Sequence, residues 1–163
     1  MKILIKPILV VLIISIFISC NTDVIFEKNK SITDGTWRSK DFKKFDVNIE
    51  DTTGIYDFYL NIRNSTDYKF TNLYLFIRTS FPDGTIACDT VDCPLAHQDG
   101  KWIGNGFGKF KDNRILLKNY IRFPKTGVYS FEIEQAMREE NLTGIKDIGI
   151  RISKTQGIIN RNQ

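Results

Sequence analysis

Apolar and polar positions alternate with a period of two over much of this chain. Tyr56, Phe58, Leu60 and Ile62 alternate with Asp57, Tyr59, Asn61 and Arg63. Leu73, Leu75 and Ile77 oppose Tyr74, Phe76 and Arg78, and Tyr129, Phe131 and Ile133 oppose Ser130, Glu132 and Glu134. Ile148, Ile150 and Ile152 alternate with Gly149 and Arg151. This period belongs to strands with one face in a core and one face in solvent. Asn64-Ser65-Thr66-Asp67 and Phe81-Pro82-Asp83-Gly84 supply turn chemistry between the runs. Shorter strand candidates are Val24–Phe26, Phe45–Ile49, Ile86–Val91 and Ile115–Phe123. Seven to nine such strands predict an all-β, antiparallel β-sandwich, jelly-roll-like in character. Helical propensity gathers only at Glu134–Glu140, where Ala136, Met137 and Arg138 precede Asn141. The pattern therefore predicts one short helical insertion between the last two strands.

The first twenty residues follow a different rule. Lys2 and Lys6 precede an apolar run from Ile8 to Ile18, and Ser19-Cys20 closes it. A basic start, a short apolar stretch and a small residue before the cut describe a secretory signal peptide. The run falls short of the roughly 20 apolar residues that span a bilayer. Phe17-Ile18-Ser19-Cys20 resembles the lipobox of bacterial lipoproteins, with Phe17 where leucine is usual. That resemblance implies lipidation of Cys20, which becomes the new N-terminus and ties the protein to a membrane. The expected organisation is a signal peptide over 1–19 and a lipidated N-terminus with a short tether over 20–23. A β-sandwich domain over 24–153 and a polar tail over 154–163 follow. Asp23 as the acidic residue close behind Cys20 favours a periplasm-facing domain and leaves the choice of inner or outer membrane open.

Charge adds little. The whole chain carries a formal +4, but without residues 1–19 it has 21 basic against 19 acidic residues, a net of +2. Nothing in that balance argues for nucleic acid. Catalytic side chains are sparse. His97 is the one histidine, in the polar segment Ala96-His97-Gln98-Asp99-Gly100, and reads as a surface-loop residue. No catalytic residues, metal ligands or cofactor site are expected. Glu132 and Glu134 share a strand face about 7 Å apart. Such pairs can hydrolyse glycosides, yet the solvent face of any amphipathic strand looks the same, and that reading is preferred. Trp102-Ile103-Gly104-Asn105-Gly106-Phe107-Gly108 lacks the lysine and the strand-to-helix setting of a phosphate loop. Its alternate glycines suggest a strand pressed against another backbone, or a bulged edge. Cys88 and Cys93 are a possible disulfide, or equally two partly buried thiols.

Several motifs together resemble the gliding-motility lipoprotein GldH family of the Bacteroidetes. They are Asp89-Thr90 with Cys93-Pro94-Leu95-Ala96, Gly100-Lys101-Trp102 through Gly108, Arg122-Phe123-Pro124 and Gly127-Val128-Tyr129-Ser130-Phe131. Glu134-Gln135-Ala136-Met137-Arg138 and Leu142-Thr143-Gly144-Ile145-Lys146-Asp147-Ile148-Gly149 complete the series. The resemblance spans the mature chain and is densest from residue 81 to 152. It implies a non-enzymatic cell-envelope lipoprotein required for gliding, an accessory of the gliding or type IX secretion machinery. It implies no cofactor. The implied partners are the membrane, through the lipid anchor, and other gliding or secretion envelope proteins; no nucleic acid or small-molecule substrate is expected. Motif density nominates Trp102, Gly104, Gly106, Gly108, Gln135 and Arg138 as a partner surface. The alternative is a glycan-binding envelope lipoprotein using Tyr59, Tyr74, Phe76 and Trp102, aromatic rings that would serve a core equally well.

Overall fold

A computed structural model describes residues 23–155. The leader, Cys20 and the tail beyond Thr155 lie outside the described residues. The strands are β1 (Val24–Ser31), β2 (Thr36–Arg38), β3 (Lys43–Ile49), β4 (Tyr56–Ser65) and β5 (Asn72–Ser80). They continue with β6 (Ile86–Pro94), β7 (Phe110–Ile121), β8 (Gly127–Gln135), β9 (Asn141–Thr143) and β10 (Ile145–Lys154). Among the described residues the one helical element is a 3-10 turn, Thr33–Gly35.

Two four-stranded antiparallel sheets face each other, ordered β1-β10-β4-β7 and β3-β8-β5-β6. Interleaving of this kind, in which the chain changes sheet between successive long strands at every step but the β5–β6 hairpin, is the jelly roll. The alternating runs supply its core. Leu60 and Ile62 of β4 and Ile150 and Ile152 of β10 face Leu73, Leu75 and Ile133 of the other sheet, all at 3% exposure or less. Phe58 and Phe131 join the layers with ring centroids 5.0 Å apart. The β2–β9 pair closes one end, where Trp37 and Leu142 are fully buried.

The helical insertion expected over Glu134–Glu140 does not form. Strand β8 runs through Gln135, bends follow, and β9 begins at Asn141. The Ala136 amide donates to the Tyr74 carbonyl at 2.8 Å, and the Tyr74 amide donates to Met137 Sδ at 3.3 Å. These contacts continue the β5–β8 ladder into the bend and override a helix propensity worth only tenths of a kcal/mol per residue. The start of the predicted tail is also tied down. Lys154 ends β10, and the Thr155 amide donates to the Ile55 carbonyl at 2.8 Å.

Candidate functional site

Strand directions sort the connections into two groups. One end of the sandwich carries the short links 50–55, 81–85 and 122–126, together with residues 23 and 155. The opposite end carries the longer segments 32–42, 66–71, 95–109 and 136–144. Backbone bonds knit the second group together. Leu95 and Ala96 amides both reach Thr71 O, Ile103 N–H reaches Leu95 O, Ser39 N–H reaches Glu140 O, and Thr66 N–H reaches Lys109 O. With a rise of about 3.3 Å per residue, the ten residues of β10 separate the two ends by roughly 30 Å.

The glycine-rich segment folds back along the edge of β7. Asn105 and Asp112 exchange backbone bonds at 3.0 and 2.7 Å, adding a one-residue bridge to the sheet. A Cβ on Gly106 would lie 2.6 Å from Phe110 O, and its φ of +135° is one that side-chain-bearing residues rarely adopt. At Gly104 a Cβ would lie 2.7 Å from Asn113 Oδ1. Asn113 is itself buried, donating through Nδ2 to Asn64 Oδ1 at 2.9 Å and to Ile62 O at 3.2 Å. Two of the three glycines are thus dictated by close approach, one to backbone and one to a buried amide. Gly108 has open space around it and a φ of +67°.

The nominated partner residues fall on this end but divide into surface and interior. Arg138 is exposed, and Phe107, beside the glycines, is fully exposed. Trp102 is half-buried and packs on the core. Gln135 is 3% exposed: its Oε1 accepts from Met137 N–H and its Nε2 donates to Glu139 O, both at 2.8 Å. Gln135 therefore builds the bend and presents no surface. A Cys88–Cys93 bridge is ruled out. Both lie on β6, Cys88 exposed and Cys93 buried as free thiols. Five residues along a strand span about 16 Å, beyond the roughly 7 Å that a disulfide tolerates, and the odd spacing aims them at opposite faces. Burial pushes the Cys93 thiol up to about 12. His97 is exposed, and its amide closes a tight loop onto Lys101 O at 2.9 Å.

The outer faces of the two sheets differ. On the β1-β10-β4-β7 face, Glu27 pairs with Arg114 at 2.6 Å and with Arg151, and Asn61 Nδ2 donates to Glu27 Oε1 at 3.0 Å. Burial raises the Glu27 pKa, but hydrogen bonds from Arg151 and Asn61 and the charges of Arg114 and Arg151 outweigh it and leave the carboxyl below its ordinary range. Arg63 pairs with Asp112 at 3.5 Å, and Ser31 donates to Asp147 at 2.6 Å. On the β3-β8-β5-β6 face, Tyr74 and Phe76 stand exposed, so neither packs in a core. Tyr59 is half-buried on the paired face. Sequence reasoning did not find Trp37 or Asn113, and it assigned to a turn Asn64, which lies fully buried near the end of β4. A tryptophan in a three-residue strand has no periodicity to report it, and buried asparagines break the apolar alternation that marks a core.

Fold and loops together define the class: a small jelly-roll domain that gathers its long loops, one of them glycine-rich, at the end opposite residue 23. The pattern characteristic of the GldH lipoprotein family matches residues 24–152, the whole of that domain. Over 149 residues the chain is 34% identical to the gliding motility lipoprotein GldH homolog of Christiangramia forsetii, covering 87% of this chain and 91% of that protein. Over 143 residues it is 33% identical to the gliding motility lipoprotein GldH of Flavobacterium johnsoniae, covering 83% and 88% respectively. The chain belongs to the GldH lipoprotein family.

Proposed function

We propose that this protein is a non-enzymatic, lipid-anchored envelope component that supports gliding motility as an accessory of the gliding or type IX secretion machinery. The observation that carries this reading is a match over the entire jelly roll to relatives named for gliding motility. Lipidation at Cys20 supplies the anchor, and two or three acyl chains hold it in the membrane for practical purposes permanently. The domain faces the periplasm, three residues beyond that anchor. Its long-loop end, opposite residue 23, meets the partner. Arg138 and Phe107 are the exposed side chains assigned to that contact, and Trp102 with the glycines sets the shape beneath them. Tethering raises the effective concentration of this end for other envelope proteins.

The test is deletion of the gene in its host, with cell spreading on agar and release of a type IX cargo protein followed side by side. Loss of spreading, restored by the wild-type gene and not by Cys20→Ser, is the expected result. An Arg138→Ala, Phe107→Ala double variant that accumulates normally should restore spreading poorly. Normal spreading and secretion in the deletion strain would overturn the reading. Full rescue by the double variant would remove the long-loop end as the contact.

A further inference from the structure

The outer face of β3-β8-β5-β6 holds a cavity of about 570 Å³, inside the range of roughly 300–1,000 Å³ typical of ligand sites. Strand register builds it. Glu134 and Thr90 flank Phe76 on the neighbouring strands, and Glu132 and Cys88 flank Arg78. Lys40 and Phe42, just before β3, form the remaining wall.

Three properties of the groove point the same way. First, Phe42 and Phe76 are 51% and 47% exposed, with Tyr74 at 41% on the same face. Solitary exposed apolar residues are ordinary, but rings gathered in a concavity are informative. Second, among the described residues the side chains of Arg78, Glu132 and Glu134 take part in no hydrogen bond or ion pair, whereas the charges of the opposite face satisfy one another. Third, Lys40 and Arg78 balance Glu132 and Glu134, and the remaining lining carboxylate, Asp89, is already paired with Lys118 at 2.9 Å, so the groove offers little net charge to attract an ion.

We infer that this groove binds a neutral saccharide, with Phe76 and Phe42 stacking on sugar ring faces while Glu132, Glu134 and Arg78 hydrogen-bond to hydroxyls. A hydroxyl donates and accepts at once, so interleaved carboxylate acceptors and guanidinium donors suit a polyol. The apolar C–H face of a pyranose complements an aromatic ring. A protein partner fits less well, because interface centres are depleted in Glu and Lys. The inference is independent of the proposed gliding role.

Cys88 lies inside the groove and provides an internal probe, since Cys93 is buried with a raised pKa. The full-length protein, purified in detergent, is applied to an array of neutral algal, plant and bacterial polysaccharides. The rate of maleimide labelling at Cys88 is then measured with and without any oligosaccharide from a polysaccharide that is captured. The expected result is capture of at least one neutral glycan and slower labelling when it is bound. Phe76→Ala should weaken capture by about tenfold or more, and Glu134→Gln should weaken it too. Arg114→Ala on the opposite face should leave it unchanged. A blank array overturns the inference, as does capture that neither Phe76→Ala nor Glu134→Gln alters or that leaves Cys88 labelling unchanged. A crosslinker on Cys88 that captures an envelope protein in cells, alongside a blank array, would reassign the face to protein docking.

Discussion

Gly104→Ala is the sharpest test of how the glycine-rich segment is built. The new methyl carbon would lie 2.7, 2.8 and 2.9 Å from Asn113 Oδ1, Cγ and Nδ2. Comfortable contacts of carbon with such atoms are about 3.5 Å, so something must yield by more than half an ångström. Asn113 is a poor candidate to yield. Its Nδ2 holds Asn64 Oδ1 at 2.9 Å and Ile62 O at 3.2 Å, and both asparagines are buried. If the amide moves, Asn64 Oδ1 is left without that donor, at about 1–3 kcal/mol. If instead the loop lifts, the paired backbone bonds of Asn105 and Asp112 break, at a similar cost. Either route gives about 2 kcal/mol. For a domain of this size that lowers the melting temperature by roughly 6–10 °C. The mechanism is read out by a double-mutant cycle in thermal or urea unfolding. Asn113→Ala vacates the space, so the Gly104→Ala, Asn113→Ala protein should be less destabilised than the sum of the singles by about 1–2 kcal/mol. Strict additivity, or a Gly104→Ala protein as stable as wild type, would refute the contact.

Other outcomes follow from the same structure. Trp37→Ala removes the largest fully buried side chain and its Nε1 bond to Asp41 O at 2.7 Å, and should cost about 3–5 kcal/mol in denaturant unfolding. Alkylation of the native protein should modify Cys88 rapidly and Cys93 only on unfolding, as peptide mapping after brief iodoacetamide exposure would report. Asp83 ties the 81–85 turn to Lys125 at 2.8 Å, and hydrogen bonds from Lys125 and Thr85 hold its pKa down at about 2. A carboxyl whose folded pKa is depressed contributes stability above its unfolded pKa and loses it as pH falls through the folded one. Stability measured from pH 4 to 2 should therefore fall less steeply in Asp83→Asn than in the wild type.

The sheets were legible wherever one face of a strand meets the core and the other meets solvent. Residues 56–63, 73–78, 129–134 and 148–152 all declare themselves by alternation because burial imposes it. Edge strands speak less clearly. Only Val24–Phe26 of β1 was legible, since Glu27 to Ser31 lie at a sheet edge and no residue of β1 is fully buried. Strands of three residues, β2 and β9, carry too little period to detect, although Trp37 and Leu142 within them close the core. The Ala136–Arg138 segment misled for a physical reason. Its residues favour helix in isolation, but Gln135 clamps the bend from within and Tyr74 engages the backbone of Ala136 and the sulfur of Met137. The local Gln135 clamp and the backbone of Tyr74 on a distant strand together decided that structure, and no local window contains Tyr74.

The same reasoning separates what the family motifs do from where binding occurs. Gly104, Gly106 and Gln135 lie in the motifs that carried the resemblance, and in the structure each meets a packing or backbone demand. The groove side chains Phe42, Phe76 and Arg78 lie outside those motifs, and nothing in the core requires them to be aromatic or charged. Glu132 and Glu134 look like the solvent face of any strand until register sets Phe76 beside one and Arg78 beside the other. The motif residues Gly104, Gly106 and Gln135 therefore mark the construction of the long-loop end, whereas unpaired charge beside exposed aromatic rings marks the groove, which shares Glu134 and Thr90 with the motifs. If both assignments hold, substitutions at the motif glycines should act first on stability, and substitutions at Phe76 or Glu134 should change capture without changing the melting temperature. A Phe76→Ala protein that unfolds as readily as Gly104→Ala would collapse that distinction.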